Sequence, residues 1–382
     1  MLKRRIKSIL IGSFSLFLAV LVTFTGSTSV SAFSPENVSS KIVAKSLYDG
    51  LEVSIVNDDI RELLDMDYFD PSWIKTLYTE GEDNYAPIDL KLEWEEVSGT
   101  NYYNVRIATD RNFENVIDRF TVLGTTSVSV SVPLVNTTYY WQVETEVNGT
   151  KLVSGLFSFK TADTPRVIYI DGVTNTRDLG GYTTSIGVMR QGMVFRTARL
   201  EEITDKGLNT AKKLGIKTDL DLRSAGEDGQ TNISPLGENI NYVNIPGAYY
   251  ALYTDRPIDK DAGKESVKEA MKIFADSENY PINVHCSFGK DRTGTISFLL
   301  SALCGASKVQ LERDFWLSVY SKAGAIPYEE IENTYDLFNE LYKYINKQTG
   351  RTYAEKTETY LKSTGLTETE INAIKSNLLI TE

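Results

Sequence analysis

A chain of 382 residues exceeds what one ordinary hydrophobic core serves, so two or more domains are expected, and 41% hydrophobic with 24% charged residues is a normal globular balance. The formal net charge of −12 excludes a general nucleic-acid binder, because neutralising a phosphate backbone needs a basic surface. With one histidine and two cysteines, the usual nitrogen-rich zinc or iron site cannot be assembled, and no metal or other cofactor is expected.

Lys3, Arg4, Arg5 and Lys7 precede an apolar run that ends in the small residues Val30-Ser31-Ala32. That is the layout of a secretory signal peptide over residues 1–32, cut after Ala32, and predicts a secreted protein; the alternative is an uncleaved anchor that tethers the chain to a membrane. Residues 33–84 carry no readable function, only an amphipathic stretch from Asp58 to Leu64 and a turn at Asp70-Pro71. From 85 to 162 short alternating runs such as LKLEWEEV, NYYNVRIAT and TYYWQVETEV predict an all-β sandwich. Trp94, the Tyr103-x-Val105 pattern and Tyr139-Tyr140-Trp141-x-Val143 resemble a fibronectin type III module. The resemblance implies a spacer, or a contact with the cell surface or cell wall.

Thr161 to Pro165 has linker composition, and residues 163–382 read as an α/β domain with a central, mainly parallel sheet. RVIYI, GIKTDLDLRS and PINVHC are its strand candidates, Thr204 is the expected N-cap of a helix, and TGTISFLLSALCG has the apolar density of a buried helix. Between the last strand and that helix lies His285-Cys286-Ser287-Phe288-Gly289-Lys290-Asp291-Arg292-Thr293-Gly294. Strand, tight loop and helix in this order put the motif at the C-terminal edge of a sheet, where α/β ligand sites gather. A helix from Thr293 to Cys304 spans about 17 Å and keeps the two cysteines apart, so both are expected as free thiols, Cys304 as a buried apolar residue.

A thiol that opens a loop, glycines within it and an arginine six positions on can wrap a tetrahedral oxyanion. Backbone N–H groups converge on the anion, the following helix points its positive end at it, and Arg292 adds a two-pronged grip. The same field stabilises thiolate over thiol, so nucleophile and electrophile are held by one element.

Cys-x5-Arg preceded by His and followed by Thr resembles the signature of cysteine-dependent tyrosine and dual-specificity phosphatases, in particular the bacterial branch whose loop reads His-Cys-x-x-Gly-Lys-Asp-Arg-Thr-Gly. Asn175 to Tyr182, Phe195 to Leu200, Asp221-Leu222-Arg223-Ser224 and the closing YLKSTGLTETEINAIKSNLL are similar to the same branch. The resemblance implies that Cys286 is a nucleophile passing through phosphocysteine and that Arg292 clamps phosphate. It implies too that His285 orients the loop, that Thr293 hydrogen-bonds the departing thiolate, and that Ser287, Phe288, Gly289, Lys290 and Gly294 complete the substrate site. Asp291 is the favoured proton donor to the leaving oxygen, with Asp221 as the alternative. Arg199 and Asp178 have weaker claims, as substrate contacts or as buried partners that shape a loop. The implied substrate is a phosphorylated protein, most of all phosphotyrosine, or else a phosphoinositide, for which Lys290 supplies a second charge. A non-catalytic exported binding or adhesion protein is the alternative from another class. Ile240–Tyr280 and Ile326–Tyr344 are candidates for a lid, with Tyr249, Tyr250 and Tyr253 along the cleft.

Overall fold

The computed structural model describes residues 42–66, 69–70, 86–249, 257–321 and 331–381. The export signal expected at 1–32, together with Tyr250 and Tyr253 of the expected cleft, lies outside these residues. No helix among the described residues is long and apolar enough to cross a membrane. The chain divides into two compact units, one of Met1–Gly50, Lys91–Val130 and Tyr139–Ser158, the other of Leu51–Leu90, Ser131–Thr138 and Phe159–Glu382.

In the first unit Tyr102–Ala108 pairs antiparallel with both Val116–Leu123 and Thr138–Val147, and the last of these pairs with Thr150–Val153. The period of two seen in the sequence is physical: Tyr139, Trp141, Val143 and Thr145 are buried while their neighbours are not. Trp94 meets Tyr103 edge to face at 5.3 Å, and the Tyr103 hydroxyl accepts the N–H of Val97 at 2.8 Å.

The second unit is built on a six-stranded sheet of β1 (Arg166–Val167), β2 (Arg177–Asp178), β3 (Val194–Thr197), β4 (Thr218–Asp221), β5 (Asn241–Asn244) and β6 (Ile282–His285), in the order β5-β4-β6-β3-β2-β1. The expectation of a mainly parallel sheet needs correction, because the sheet is mixed. β5, β4, β6 and β3 run parallel, whereas β2 is antiparallel to both β3 and β1. The link between β1 and β2, residues 168–176, is shorter than the helical crossover a parallel pair requires.

Eight helices are used below: α1 (Asp58–Leu64), α2 (Asp205–Leu214), α3 (Asp261–Ala275), α4 (Arg292–Leu303), α5 (Lys308–Trp316), α6 (Ile331–Asn346), α7 (Tyr353–Ser363) and α8 (Glu368–Leu378). α4 buries all but one of its residues, which is why its sequence is apolar all round rather than striped. The free thiols Cys286 and Cys304 are buried at its two ends. α1 occupies the amphipathic stretch noted in the sequence. Asn57 caps it, and Ile60, Leu63 and Leu64 pack with Trp316, Leu317 and Tyr320, so this segment is part of the second unit's core. α2 begins as expected at Thr204, whose side chain accepts from Gly207. Within the two expected lid segments the described elements are β5, α3 and α6.

Three central strands end level. Thr197 on β3 and Asp221 on β4 both stand in register with His285 on β6. The chain therefore leaves all three strands at one edge, and the connections after 197, 221, 244 and 285 converge there.

Candidate active site

β6 delivers Cys286 to that edge, where the loop Cys286–Asp291 turns into α4. The carbonyls of this loop are tied down from outside. His285 O accepts from Leu222 N at 2.9 Å, Ser287 O from Arg199 N at 3.2 Å and Phe288 O from Asn175 Nδ2 at 2.9 Å, while Gly289 O accepts from Arg196 Nη2. A trans peptide carries its C=O and the next N–H on opposite sides, so each outward carbonyl turns an N–H inward. The amides of Phe288, Gly289 and Lys290 accordingly turn away from those tethers, and among the described residues no protein acceptor takes them. Asp291, the N-cap of α4, makes no side-chain cap, which leaves the positive helix end open to an anion. Gly289 has φ +66°, and a Cβ there would lie 2.3 Å from Thr197 O, so only glycine allows this turn.

Arg292 opens α4 with its side chain buried. Its guanidinium forms a two-pronged pair with Glu227, Nη1 at 2.8 Å from Oε2 and Nη2 on Oε1, and Nη1 also donates to Leu222 O at 3.2 Å. Ser287 Oγ donates to Glu227 Oε1 at 2.8 Å, and the Glu227 carboxyl, gripped first of all by Arg292, is held down to about 2. Glu227 is a functional residue that sequence reasoning missed. It lies in Ser224-Ala225-Gly226-Glu227-Asp228, an acidic turn that reads as solvated surface until folding sets it against the loop. Its carboxylate locks the arginine's orientation.

His285 lies fully buried beneath the cysteine, Nε2 3.2 Å from Asp219 Oδ1 and Nδ1 4.0 Å from Asp221 Oδ1. Burial pushes the imidazole down, but Asp219 and then Asp221 outweigh it and hold the imidazolium up to about 9. A positive charge is thus kept at the base of the loop. The stability this contributes is fully present below the ordinary 6.5 and is lost as pH rises through about 9. Thermal unfolding followed from pH 6 to 9.5 should show a falling Tm in the wild type and a flatter profile in His285→Asn; parallel profiles would mean the ring is neutral in the folded protein.

Asp221, the alternative proton donor, is engaged elsewhere. Its carboxylate accepts from Arg223 N at 2.9 Å, Arg223 Nη2 at 2.9 Å and Tyr242 Oη at 3.0 Å. Burial pushes this carboxyl up, but Arg223 and His285 outweigh burial and hold it below its ordinary range. A group tied up and ionised in this way supports the loop and has no proton to give.

Asp291 and Lys290 are placed differently. Both line a cavity of about 40 Å³ beside the loop whose walls include Phe298, Phe315, Phe338 and Leu341. Phe298 and Phe315 stand 5.8 and 5.1 Å from Phe338, ring to ring, so the wall is aromatic. Phe288 is 47% exposed at the loop's outer turn. Thr293 Oγ1 is buried and hydrogen-bonds no group among the described residues. A Cβ on Gly294 would meet Arg196 Nη2 at 3.4 Å, an ordinary contact.

Arg199 and Asp178 each pair with a neighbouring side chain. The Arg199 side chain is partly exposed and pairs with Glu202 at 3.2 Å, although its backbone anchors Ser287 O. Asp178 is buried against Arg166 at 2.8 Å and accepts from Gly180 N at 2.8 Å, which shapes the turn after β2. The residues that matter in those two stretches are their neighbours. Arg177 Nε donates to Asp314 Oδ1 at 2.7 Å, Arg196 Nη1 donates to Asp314 Oδ2, and Arg177 Nη1 donates to Asn175 Oδ1 at 2.6 Å. One largely shielded carboxylate on α5 therefore orients both arginines, and through Asn175 and Arg196 the loop carbonyls as well.

A cysteine at the C-terminal edge of parallel strands thus opens a loop with unpaired amides, and an arginine starts the helix that follows, the placement of an α/β anion site. The chain belongs to the tyrosine phosphatase family, whose sequence profile matches residues 168–380, more than half of its length. A tyrosine-protein phosphatase of Nostoc commune is 26% identical over 144 residues, covering 34% of this chain and 49% of that protein. The triple specificity protein phosphatase PtpB of Mycobacterium tuberculosis is 23% identical over 187 residues, covering 38% of this chain and 67% of that protein. The chain thus spans about half the length of the Nostoc relative. Among solved structures, the core catalytic domain of the PP-IP phosphatase SIW14 from S. cerevisiae is similar at 16% identity with a TM-score of 0.27, over 47% of this chain and 96% of that one.

Proposed function

We propose that this protein is a cysteine-dependent phosphomonoesterase that hydrolyses protein phosphotyrosine through a phosphocysteine intermediate. The observation that carries the reading is the ring of outward-tethered carbonyls, which leaves the amides of the Cys286 loop unpaired with Arg292 beside them. The Cys286 thiolate attacks phosphorus as the bond to the leaving oxygen breaks, and Asp291 gives that oxygen its proton. Water then attacks the phosphocysteine, its proton passes to the Asp291 carboxylate, and thiolate and inorganic phosphate separate. Charge growing on the phosphoryl oxygens is met by fixed amides and the guanidinium, which need no reorganisation.

Membership of the tyrosine phosphatase family supports phosphotyrosine, whereas the cavity beside Asp291, at about 40 Å³, is too small to hold an aryl ring. Lys290, lining the same cavity, supports a second reading in which a phosphoinositide offers it a further phosphate. The cationic and apolar start of the chain supports export, and the antiparallel strands of the first unit support a fibronectin-like spacer that contacts the cell surface.

Purified protein should hydrolyse para-nitrophenyl phosphate, and acid quenching during turnover should trap phosphate on the peptide that contains Cys286. A folded protein that turns over no aryl phosphate between pH 5 and 8 would contradict the proposal. The proton donor has its own test. Asp291→Asn should slow phenyl phosphate about 10²-fold and para-nitrophenyl phosphate, with its better leaving group, by less than about tenfold. Equal slowing of the two would make Asp291 a loop-shaping residue.

A further inference from the structure

At the edge that holds the loop, Tyr249 carries a buried hydroxyl for which the cysteine mechanism has no use. The segment leading to it is pinned beside Arg292. Ile245 N donates to Asp221 O at 3.0 Å and Gly247 N to Leu222 O at 2.9 Å, the same carbonyl that receives Arg292. A Cβ on Gly247 would lie 3.0 Å from both Cγ and Cδ of Arg292, so the backbone runs along the arginine side chain. Ser266 of α3 then fixes the turn, accepting from Ala248 N at 3.1 Å and donating to Pro246 O at 2.7 Å. The phenol that follows is fully buried, in the same core cluster as Cys286.

Its hydroxyl has no hydrogen-bond partner among the described residues. Burial holds the phenol protonated, well above its ordinary range, and it lies within reach of the charges of Cys286, which adds to that shift, and of Arg292, which opposes it. A neutral phenol is a donor. Leaving a donor buried without an acceptor carries a desolvation cost that folding alone gives no reason to bear. The acceptor that the loop brings between Cys286 and Arg292 is a phosphoryl oxygen.

We propose that Tyr249 is a further catalytic residue, donating a hydrogen bond to a non-bridging oxygen of the phosphoryl group held between Cys286 and Arg292. The inference rests on the phosphatase reading and extends it, since the donor comes from the β5–α3 connection and not from the Cys-x5-Arg loop. The bond tightens as charge gathers on that oxygen in the transition state, so its loss appears in kcat more than in KM.

The test is Tyr249→Phe in the full chain, with para-nitrophenyl phosphate as substrate and orthovanadate as the trigonal-bipyramidal probe. Expected are a fall of about tenfold in kcat, a comparable loss of vanadate affinity, little change in KM, and a Tm equal to or above that of the wild type, since the variant discards only an unsatisfied hydroxyl. A merely structural tyrosine would lower Tm and leave the vanadate affinity of the folded fraction unchanged. Wild-type kcat and vanadate affinity in the variant overturn the inference while the phosphatase reading stands. A wild-type protein that neither turns over nor binds vanadate overturns both.

Discussion

Cys286→Ser is expected to abolish turnover while the phosphate site survives. A serine hydroxyl is essentially un-ionised at neutral pH and its oxygen has no neighbouring base: His285, beneath the loop, is already held as imidazolium by Asp219 and Asp221. Removing the nucleophile of a covalent mechanism costs on the order of 10⁴-fold or more in kcat. The cradle does not depend on sulfur. Its carbonyls are fixed by Leu222, Arg199, Asn175 and Arg196, and its arginine by Glu227, none of which touches the replaced atom. Initial rates with para-nitrophenyl phosphate, paired with calorimetric binding of inorganic phosphate, check both halves. A residual rate within about tenfold of wild type would show that Cys286 is not the nucleophile.

Asp314→Ala is the substitution with the largest expected effect on stability. The Asp314 carboxylate sits between Arg177 and Arg196, both essentially inaccessible. Burial pushes its acid up, but the two guanidinium groups outweigh burial and hold it ionised below the usual carboxylate range. Deleting the shared anion leaves two buried cations facing each other, a loss of about 3–5 kcal/mol, which should lower Tm by on the order of 10 °C. Activity should fall with it even below the melting transition, because Arg196 loses the partner that aims it at Gly289 O. Scanning calorimetry of both proteins gives the comparison; a Tm within about 2 °C of wild type would mean that solvent enters this cluster and screens it.

The two variants differ in how far sequence alone could anticipate them. Cys286 and Arg292 were legible because their chemistry is contiguous: one loop between one strand and one helix carries nucleophile, amides and clamp, and local spacing dictates that they meet. Asp314 was not legible. It lies more than a hundred residues from both arginines, on a helix whose sequence, KVQLERDFW, reads as an ordinary amphipathic turn. In the Asn175–Tyr182 and Phe195–Leu200 stretches the side chains that hold the loop are Asn175, Arg177 and Arg196. Asp178, one position past Arg177, and Arg199, three past Arg196 and beyond the end of β3, pair with other partners, and which neighbour meets the loop is decided only once the chain is placed in the sheet.

By itself the sequence determined the strand–loop–helix unit, the alternating strands of the first unit and the apolar helix that supports the loop. These follow from periodicity acting over a few residues. Only the tertiary structure decided that Asp221 is spent on Arg223, that Glu227 orients Arg292, that Lys290 and Asp291 share an aromatic cavity, and that Tyr249 sits beside the arginine. Each depends on chain segments brought together where parallel strands end in register, and that convergence is set by packing of the whole sheet, which no local spacing encodes.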